Sequence, residues 1–149
     1  MDILLKEKGN WSNFDTKNFP DVKVELREKI TNDEDFNDFL KSWEEIYDRQ
    51  KYFTLDFNTE KVGTVHMKYA YRMRSFIRML KKEKPKLLTA SFIRASSSWV
   101  RFLLRFIFMF EKPVAPVYIH DFDESDLENL KESIKNKDSL PRGVKIFHP

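Results

Sequence analysis

Hydrophobic residues alternate with charged ones between positions 22 and 29, which is the period of a strand with one buried face. From position 31 the period becomes helical, and the apolar side chains through position 49 fall on one stripe. Thr31 and Glu34 have the spacing of a capping box, in which a hydroxyl and a carboxylate satisfy free N–H groups at a helix start. The segment 22–49 therefore predicts a strand followed by an amphipathic helix.

The same succession of patterns recurs in the remainder of the chain. Runs rich in strand-forming residues occur at 52–57, 87–95 and 114–120. Segments with helical periodicity follow at 64–83 and 99–110, and Asp121 and Asp123 can cap a last helix. A short edge strand at 3–6 and a pairing run at 144–147 are further expectations at the two ends.

Alternation of strands and helices is typical of a mostly parallel sheet whose strands are joined by right-handed crossovers. We therefore predict an α/β fold in a single domain, with a mostly parallel sheet of four to five strands covered by four helices. A chain of 149 residues needs only one core. The predicted domain spans 22–137, between a loosely ordered N-terminal segment, 1–21, and a C-terminal tail, 138–149.

Composition narrows the chemistry that the chain can perform. It contains no cysteine, which excludes disulfides, thiolate metal sites and thiol nucleophiles. The first residues lack the basic start and the apolar run of a signal peptide, and no uninterrupted apolar stretch approaches the roughly 20 residues that span a bilayer. We expect a soluble, cytoplasmic protein.

The familiar sequence signatures of catalysis and of cofactor binding are also absent. The three histidines are scattered, and three glycines are too few for a P-loop or a dinucleotide-binding fingerprint. The acidic run at 121–128 has a structural interpretation, because carboxylates at a helix start cap its N–H groups and complement its dipole. We predict no catalytic residue, no metal and no cofactor. An enzyme stays a further hypothesis, because carboxylates and hydroxyls alone can support acid–base chemistry.

Charge is distributed unevenly along the chain, whose net charge is +3. The segment 63–112 carries 12 Lys and Arg against Glu83 and Glu111, a local net charge of +10, and the remainder carries −7. The predicted helix at 64–83, with Lys68 and Arg72, is strongly basic. Such a helix can bind an acidic protein, anionic lipid or nucleic acid, or can simply be solvated. The modest total charge and the lack of a reader motif make nucleic acid an unexpected partner.

The predicted helix at 99–110 has more apolar surface than one core face requires. Five of its residues point inward in a helical projection, namely Trp99, Leu103, Phe106, Ile107 and Phe110. On the opposite half, Leu104, Phe108 and Met109 lie near Arg101 and Arg105. Another element of the chain, a homodimer interface, a lipid-lined cavity and a membrane surface are the alternatives for what covers them.

The loop at 57–64 joins a strand to a helix, which is where parallel α/β folds place ligands and switches. Thr59 and Thr64 are candidates for helix capping, anion contact or phosphorylation, because a phosphate at a helix N-terminus is electrostatically favoured. Ser96 opens a run of three serines at the equivalent place in the next strand–helix unit. We predict Thr59 and Thr64 as switch sites. The residues predicted to bind a ligand or partner are Asn58, Lys68, Arg72, Ser96, Arg101, Arg105 and Phe108.

The order of elements, and the strand at 52–58 followed by Thr59, resemble the STAS-like domains, the superfamily of the bacterial anti-sigma-factor antagonists. The segment Phe57-Asn58-Thr59 is similar to the Asn-Thr-Ser motif of one family of STAS-like regulatory phosphoproteins, with Glu60 and Lys61 in place of the serines that follow. The resemblance implies a non-enzymatic regulatory or protein-interaction module, switched by phosphorylation at a strand-to-helix loop.

A second stretch is similar to the lipid-binding lobe of the CRAL-TRIO family, in which a turn precedes a strand, a small-residue turn, an apolar helix and another strand. The residues that carry this similarity are Lys84-Pro85-Lys86-Leu87, Arg94-Ala95-Ser96-Ser97, Trp99, Pro113 and Tyr118-Ile119-His120. This similarity implies the alternative function of binding lipid or an anionic membrane. A cavity beneath the helix at 99–110 is the structural feature that favours it.

Overall fold

A single mixed sheet organises the protein, of which the computed structural model describes residues 11–149. Its strands are β1 (Ser12–Asp15), β2 (Asp21–Leu26), β3 (Phe53–Asn58), β4 (Leu88–Arg94), β5 (Val117–His120) and β6 (Lys145–Phe147). They lie side by side in the order of the chain, from β1 to β6. The four inner strands are parallel, whereas β1 and β6 run antiparallel to their neighbours.

The helices of the described chain are α1 (Asp33–Ile46), α2 (Met67–Glu83), α3 (Ser98–Phe110) and α4 (Glu124–Lys135), and a 3-10 turn, Tyr47–Arg49, follows α1. Consecutive strands are neighbours in the sheet, so every parallel crossover advances in the same direction. Right-handed crossovers in one direction place their helices on one face of the sheet. Helices α1, α2 and α3 accordingly share one face and enclose the main core.

The main core lies between this face and the three helices. Val22, Val24 and Leu55 alternate with polar residues along β2 and β3 and are at most 1% exposed. Burying a side chain of this size contributes about 1.5–3 kcal/mol. Aromatic rings from the helices complete the layer; Trp43 packs edge-on against Phe76, with ring centroids 5.3 Å apart. Many of the phenylalanine side chains are therefore packed in the core.

Polar side chains dominate the opposite face of the sheet, which α4 covers in part. Lys131 Nζ of α4 lies 2.7 Å from Asp56 Oδ2 and 5.2 Å from the ring centroid of Phe92. Leu127 and Leu130 pack with Phe92 in a separate small cluster. The sheet thus has a hydrocarbon face toward α1, α2 and α3 and a face of mixed polar and aromatic side chains toward α4.

The α/β class, the single domain and the four helices are confirmed, whereas the sheet has six strands instead of four or five, and three of its five pairings are parallel. Strand β1 lies within the segment predicted to be loosely ordered, whereas β6 lies in the predicted tail and confirms the pairing run expected at 144–147. Both are short edge strands that pair with one neighbour through the backbone. They therefore carry little of the alternation by which strands are predicted. The strand expected at 3–6 lies outside the described residues.

Helix starts agree with the predictions at α3 and α4, where Ser97 and Asp123 are the N-caps. The capping box of α1 is displaced by one residue, because Asn32 Oδ1, not the hydroxyl of Thr31, accepts the hydrogen bond from the N–H of Asp35. Helix α2 begins at Met67 instead of position 64. The preceding loop is held by backbone hydrogen bonds, from the Thr59 N–H to the Arg94 carbonyl of β4 at 3.1 Å and from the Gly63 N–H to the Glu28 carbonyl at 2.9 Å. Helix α2 therefore begins three residues later than predicted.

Candidate functional site

A cavity of about 140 Å³ lies inside the main core, between the hydrocarbon face of the sheet and α1, α2 and α3. Helix α3 contributes five of the lining residues, which are Val100, Leu103, Leu104, Ile107 and Phe108. Across from them, Ile93 and Val117 of the sheet and Trp43 of α1 complete the wall. The cavity therefore lies beneath the helix whose excess of apolar surface the sequence shows.

Small side chains leave this space empty. Ala70 of α2, Ser91 of β4 and Ala115 of the loop before β5 all line the cavity and are at most 5% exposed. Each occupies a position from which a larger side chain would extend into the void. A close-packed interior has few voids larger than a water molecule, so a space of this size is unusual for a core.

Two hydroxyls at the wall are engaged elsewhere, whereas Trp43 Nε1 has no hydrogen-bond partner among residues 11–149. The Thr59 hydroxyl donates a hydrogen bond to the Arg94 carbonyl at 2.6 Å, and the Tyr69 hydroxyl donates to Asp33 Oδ1 at 2.8 Å. A water molecule in a buried site needs two to four polar partners, and apolar cavities of roughly 150 Å³ stay dry and bind small hydrocarbons such as benzene. The arrangement favours an apolar ligand over a polar one.

The inner face of α3 differs from the predicted one. Val100, Leu103 and Ile107 are buried, as expected for Leu103 and Ile107, but Phe110 is 58% exposed. Phe108, which was predicted to face outward, packs into the main core and lies 5.2 Å from the ring of Phe147. The prediction was wrong because the buried face of the helix is rotated toward Val100 and Phe108, away from Phe110. Packing against the sheet and β6 decides its orientation.

The carboxyl ends of β3 and β4 bring three of the predicted residues together around Glu60. Asn58 Oδ1 accepts a hydrogen bond from the Glu60 N–H at 3.0 Å, and the Ser96 hydroxyl donates to Glu60 Oε2 at 2.9 Å. Arg94 Nε lies 3.9 Å from Glu60 Oε1. Thr59, which is 6% exposed, is held beneath this network by its bond to the Arg94 carbonyl. The network closes the predicted switch loop against the sheet.

The two predicted switch hydroxyls thus lie in different surroundings. Thr59 is buried, and its hydroxyl already donates a hydrogen bond, so a kinase cannot reach it in this conformation. Thr64 is exposed and lies three residues before the first residue of α2. Neither caps the helix, because the N-cap is His66, whose Nδ1 accepts a hydrogen bond from the Lys68 N–H at 3.0 Å.

The predicted basic residues do not converge on one site. Lys68 Nζ forms an ion pair with Asp33 Oδ1 of α1 at 3.0 Å, and its hydrogen bond is the main reason why the pKa of Asp33 is lowered. Arg72 lies over the ring of Phe36 at 4.9 Å, also toward α1. Arg101 Nε donates to the Ala95 carbonyl at 2.7 Å, and Arg105 is exposed on the outer side of α3. Most of these cations therefore stabilise contacts within the protein.

Two features were missed from the sequence. The side chain of Arg74 lies among three aromatic rings on the outer surface of α2 and α3, with the closest centroid, that of Phe110, at 4.8 Å. His120 at the end of β5 is 1% exposed, and burial, reinforced by the Arg94 charge, lowers its pKa to about 4. The spacing of Tyr71 and Arg74, one turn apart, is the signal that could have indicated the first feature. Nothing in the sequence indicates the burial of His120.

Known proteins and known site types supply no further assignment. Among residues 11–149, no group of three or more His, Cys, Asp or Glu side chains could hold a metal ion. None of the helices in the same range has the length and apolar character needed to cross a membrane. Comparisons of the chain with protein-family models, with curated proteins and with solved structures found no match.

Proposed function

We propose that the protein binds an apolar ligand, such as the acyl chain of a lipid, in the cavity beneath α3. The observation that carries this proposal is a space of about 140 Å³ in the core whose wall is hydrocarbon apart from a few hydroxyls, two of which are engaged elsewhere, and the indole N–H groups of Trp11 and Trp43. A charged headgroup cannot be accommodated inside such a wall, because an uncompensated buried charge is strongly unfavourable. The ligand's buried part is therefore apolar.

The expected affinity follows from the size of the cavity. Each methylene group transferred from water into an apolar site contributes about 0.8 kcal/mol. Burial of about six carbons then contributes roughly 5 kcal/mol, which corresponds to a dissociation constant in the submillimolar range. A longer chain that displaces the side chains at the cavity wall binds more tightly. The protein is thus suited to hold part of a lipid chain or a small hydrophobic molecule.

The sequence similarity to the CRAL-TRIO lipid-binding lobe supports the same proposal. The similar stretch includes β4, α3 and β5, and each of these elements contributes to the cavity wall, through Ile93, Leu103 and Val117 among others. The similarity and the cavity are independent observations, because one concerns the order of residue types and the other the space between packed elements.

Binding can be tested with the protein as purified from cells and with a defined probe. Native mass spectrometry should detect a retained apolar molecule, and titration with decanoate should change the fluorescence of Trp11 and Trp43, which line the cavity. The variant Ser91→Leu, which fills the cavity from β4, should lose both signals. Ser75→Leu makes the same change at an exposed position of α2 and serves as the matched control.

The two variants give opposite expectations only if the cavity is the binding site. Loss of decanoate binding in Ser91→Leu but not in Ser75→Leu supports the proposal. An unchanged titration in Ser91→Leu, with circular dichroism showing the fold intact, refutes binding at this site. Absence of a retained mass together with absence of a decanoate response in the unmodified protein refutes apolar ligand binding altogether.

A second candidate function is a STAS-like regulatory or protein-interaction role for the loop between β3 and α2. The closed network around Glu60 favours it, because a phosphate nearby would repel this carboxylate and loosen its contact with Ser96. Thr64 is the accessible hydroxyl of the loop. Intact mass measurement of the protein from its own cells should show one phosphoryl group that phosphatase removes and Thr64→Ala prevents. A single unmodified mass under all growth conditions speaks against this role.

A further inference from the structure

Exposed hydrophobic side chains are concentrated on the outer surface of α2 and α3. Of the five large hydrophobic residues that are exposed in the described chain, four lie there: Tyr71, Phe102, Met109 and Phe110. We call this surface, together with Phe106, the aromatic ridge. Phe102, Phe106 and Phe110 recur every four residues, so they form one stripe along α3.

Contacts between the rings show that the ridge is continuous across the two helices. Tyr71 of α2 meets Phe106 of α3 edge-on, with centroids 5.3 Å apart, and Phe106 lies 5.4 Å from Phe110. At the other end of the stripe, Trp99 stacks on Phe102 at 5.4 Å. The residues on the inner side of the same two helices, such as Ala70 and Leu103, line the cavity. The helix pair therefore has apolar side chains on both sides.

Cations are interleaved with this ridge. The Arg74 guanidinium lies 5.5 Å from the Phe106 centroid and 4.8 Å from that of Phe110, and its Nε has no hydrogen-bond partner within residues 11–149. Arg105 is exposed beside Phe102 and Phe106 on α3. The nearby acid, Glu111, is paired with both Arg78 and Lys81. The surface is thus apolar and positively charged, with no unpaired acid among these residues.

We propose that the aromatic ridge docks the protein onto an anionic lipid bilayer. Aromatic side chains favour the headgroup region of a bilayer, and arginine places its stem in the apolar region while its charge meets lipid phosphates. Arg74 and Arg105 supply the positive charge of the ridge, and an anionic bilayer attracts such cations by about 1 kcal/mol each. This docking does not depend on whether the cavity holds a ligand.

The magnitude of the effect follows from the charges and rings involved. Each arginine at an anionic surface raises the partition coefficient roughly fivefold, which corresponds to about 1 kcal/mol. Reversing the charge of Arg105 should therefore lower the partition coefficient by more than tenfold. Removing the exposed ring of Phe110 should also weaken binding, but with less dependence on salt, because its contribution is hydrophobic.

Co-sedimentation with phosphatidylcholine vesicles, with and without phosphatidylserine, tests the proposal on the full chain. We expect the protein to sediment only with the vesicles that contain phosphatidylserine. Binding to these vesicles should be more than tenfold weaker for Arg105→Glu and for Phe110→Ser. Arg142→Glu and Tyr52→Ser make matched changes at exposed positions away from the ridge and should bind as the unmodified protein does. Ser91→Leu, which fills the cavity, should also bind vesicles normally, so that failure of cavity binding is distinguished from failure of docking.

Three results would overturn the proposal. The first is a lack of sedimentation of the unmodified protein with phosphatidylserine vesicles. The second is equal binding by the ridge variants and their matched controls. The third is a dimer in light scattering that Phe110→Ser converts to a monomer, since the ridge would then be covered by a second copy of the chain.

Discussion

The ion pair between Lys131 and Asp56 should be the main polar attachment of α4 to the sheet. Both side chains are largely removed from solvent, with 17% and 9% of their surfaces exposed. Burial lowers the pKa of Lys131, but the hydrogen bond and charge of Asp56 outweigh it, so the pKa is raised and the ammonium is retained. Burial raises the pKa of Asp56 despite the bond from Lys131. Burial therefore disfavours the charged form of Asp56, and the Lys131 ammonium compensates that charge.

Replacing Lys131 with methionine should cost about 3 kcal/mol of unfolding free energy at pH 7. Breaking a buried ion pair by removing one partner costs about 3–5 kcal/mol, because the remaining charge is left without compensation. We take the lower end because Lys131 is partly exposed. The control is Lys135→Met, an exposed lysine one turn further along α4, which should cost less than about 0.5 kcal/mol.

The pH dependence separates lost charge compensation from lost packing. In the Lys131→Met variant the pKa of Asp56 rises further, so the folded state holds a proton more tightly than the unfolded state does. A group whose pKa is raised on folding contributes stability below its unfolded pKa and loses it as pH rises through the folded value. The deficit of the variant should therefore shrink between pH 7 and pH 5. Urea unfolding at both values measures it, and equal deficits at the two pH values, or equal losses in both lysine variants, would refute the reasoning.

Three further predictions concern the core and the candidate site. Leu103→Ala should enlarge the cavity and lower the unfolding free energy by about 2–5 kcal/mol. Decanoate should then raise the melting temperature of this variant more than that of the unmodified protein, and an equal rise in both contradicts the proposed site. Thr59→Val should cost about 1 kcal/mol in urea unfolding through loss of its hydrogen bond to the Arg94 carbonyl, whereas a loss near zero means that the bond adds nothing. The pKa of His120 is lowered to about 4, so its neutral form contributes stability above its unfolded pKa of roughly 6.5 that is lost as pH falls toward 4. His120→Gln should reduce the change of the urea unfolding midpoint with pH over this range. An unchanged dependence of the midpoint on pH would assign it to other groups.

Periodicity predicted the fold class because β2 and the helices bury mainly one face. The alternation of Val22, Val24 and Leu26, for example, places all three side chains on the hydrocarbon face. Strand β1 escaped prediction because its place is decided by backbone pairing with β2, which leaves little trace in the residue types, whereas the run at 144–147 was expected to pair and forms β6. The sequence therefore predicts which segments are extended or coiled better than it predicts how many of them join the sheet.

The sequence indicated a cavity beneath the helix at 99–110 as one alternative, but it indicated neither the volume nor the lining of that cavity. Its volume depends on Ala70, Ser91 and Ala115, which come from three elements and meet only after packing. The basic residues illustrate the same limit, because their number is evident from the sequence whereas their partners are not. Lys68 was predicted to bind a ligand, yet it pairs with Asp33 across α1 and α2. Contacts between segments that are distant in the sequence determine both the volume of the cavity and the partners of the basic residues.

The two faces of the sheet give the molecule unequal resistance to local opening. Helix α4 is attached through Leu127, Leu130 and the Lys131 ion pair, while α1, α2 and α3 share a continuous hydrocarbon layer. Detachment of α4 therefore exposes the small apolar cluster around Phe92 and the Lys131–Asp56 ion pair, and leaves that layer intact. Native-state hydrogen exchange should show earlier exchange of the α4 amides than of those in α2. The C-terminal helix is thus the element that can leave and return while the rest of the protein stays folded.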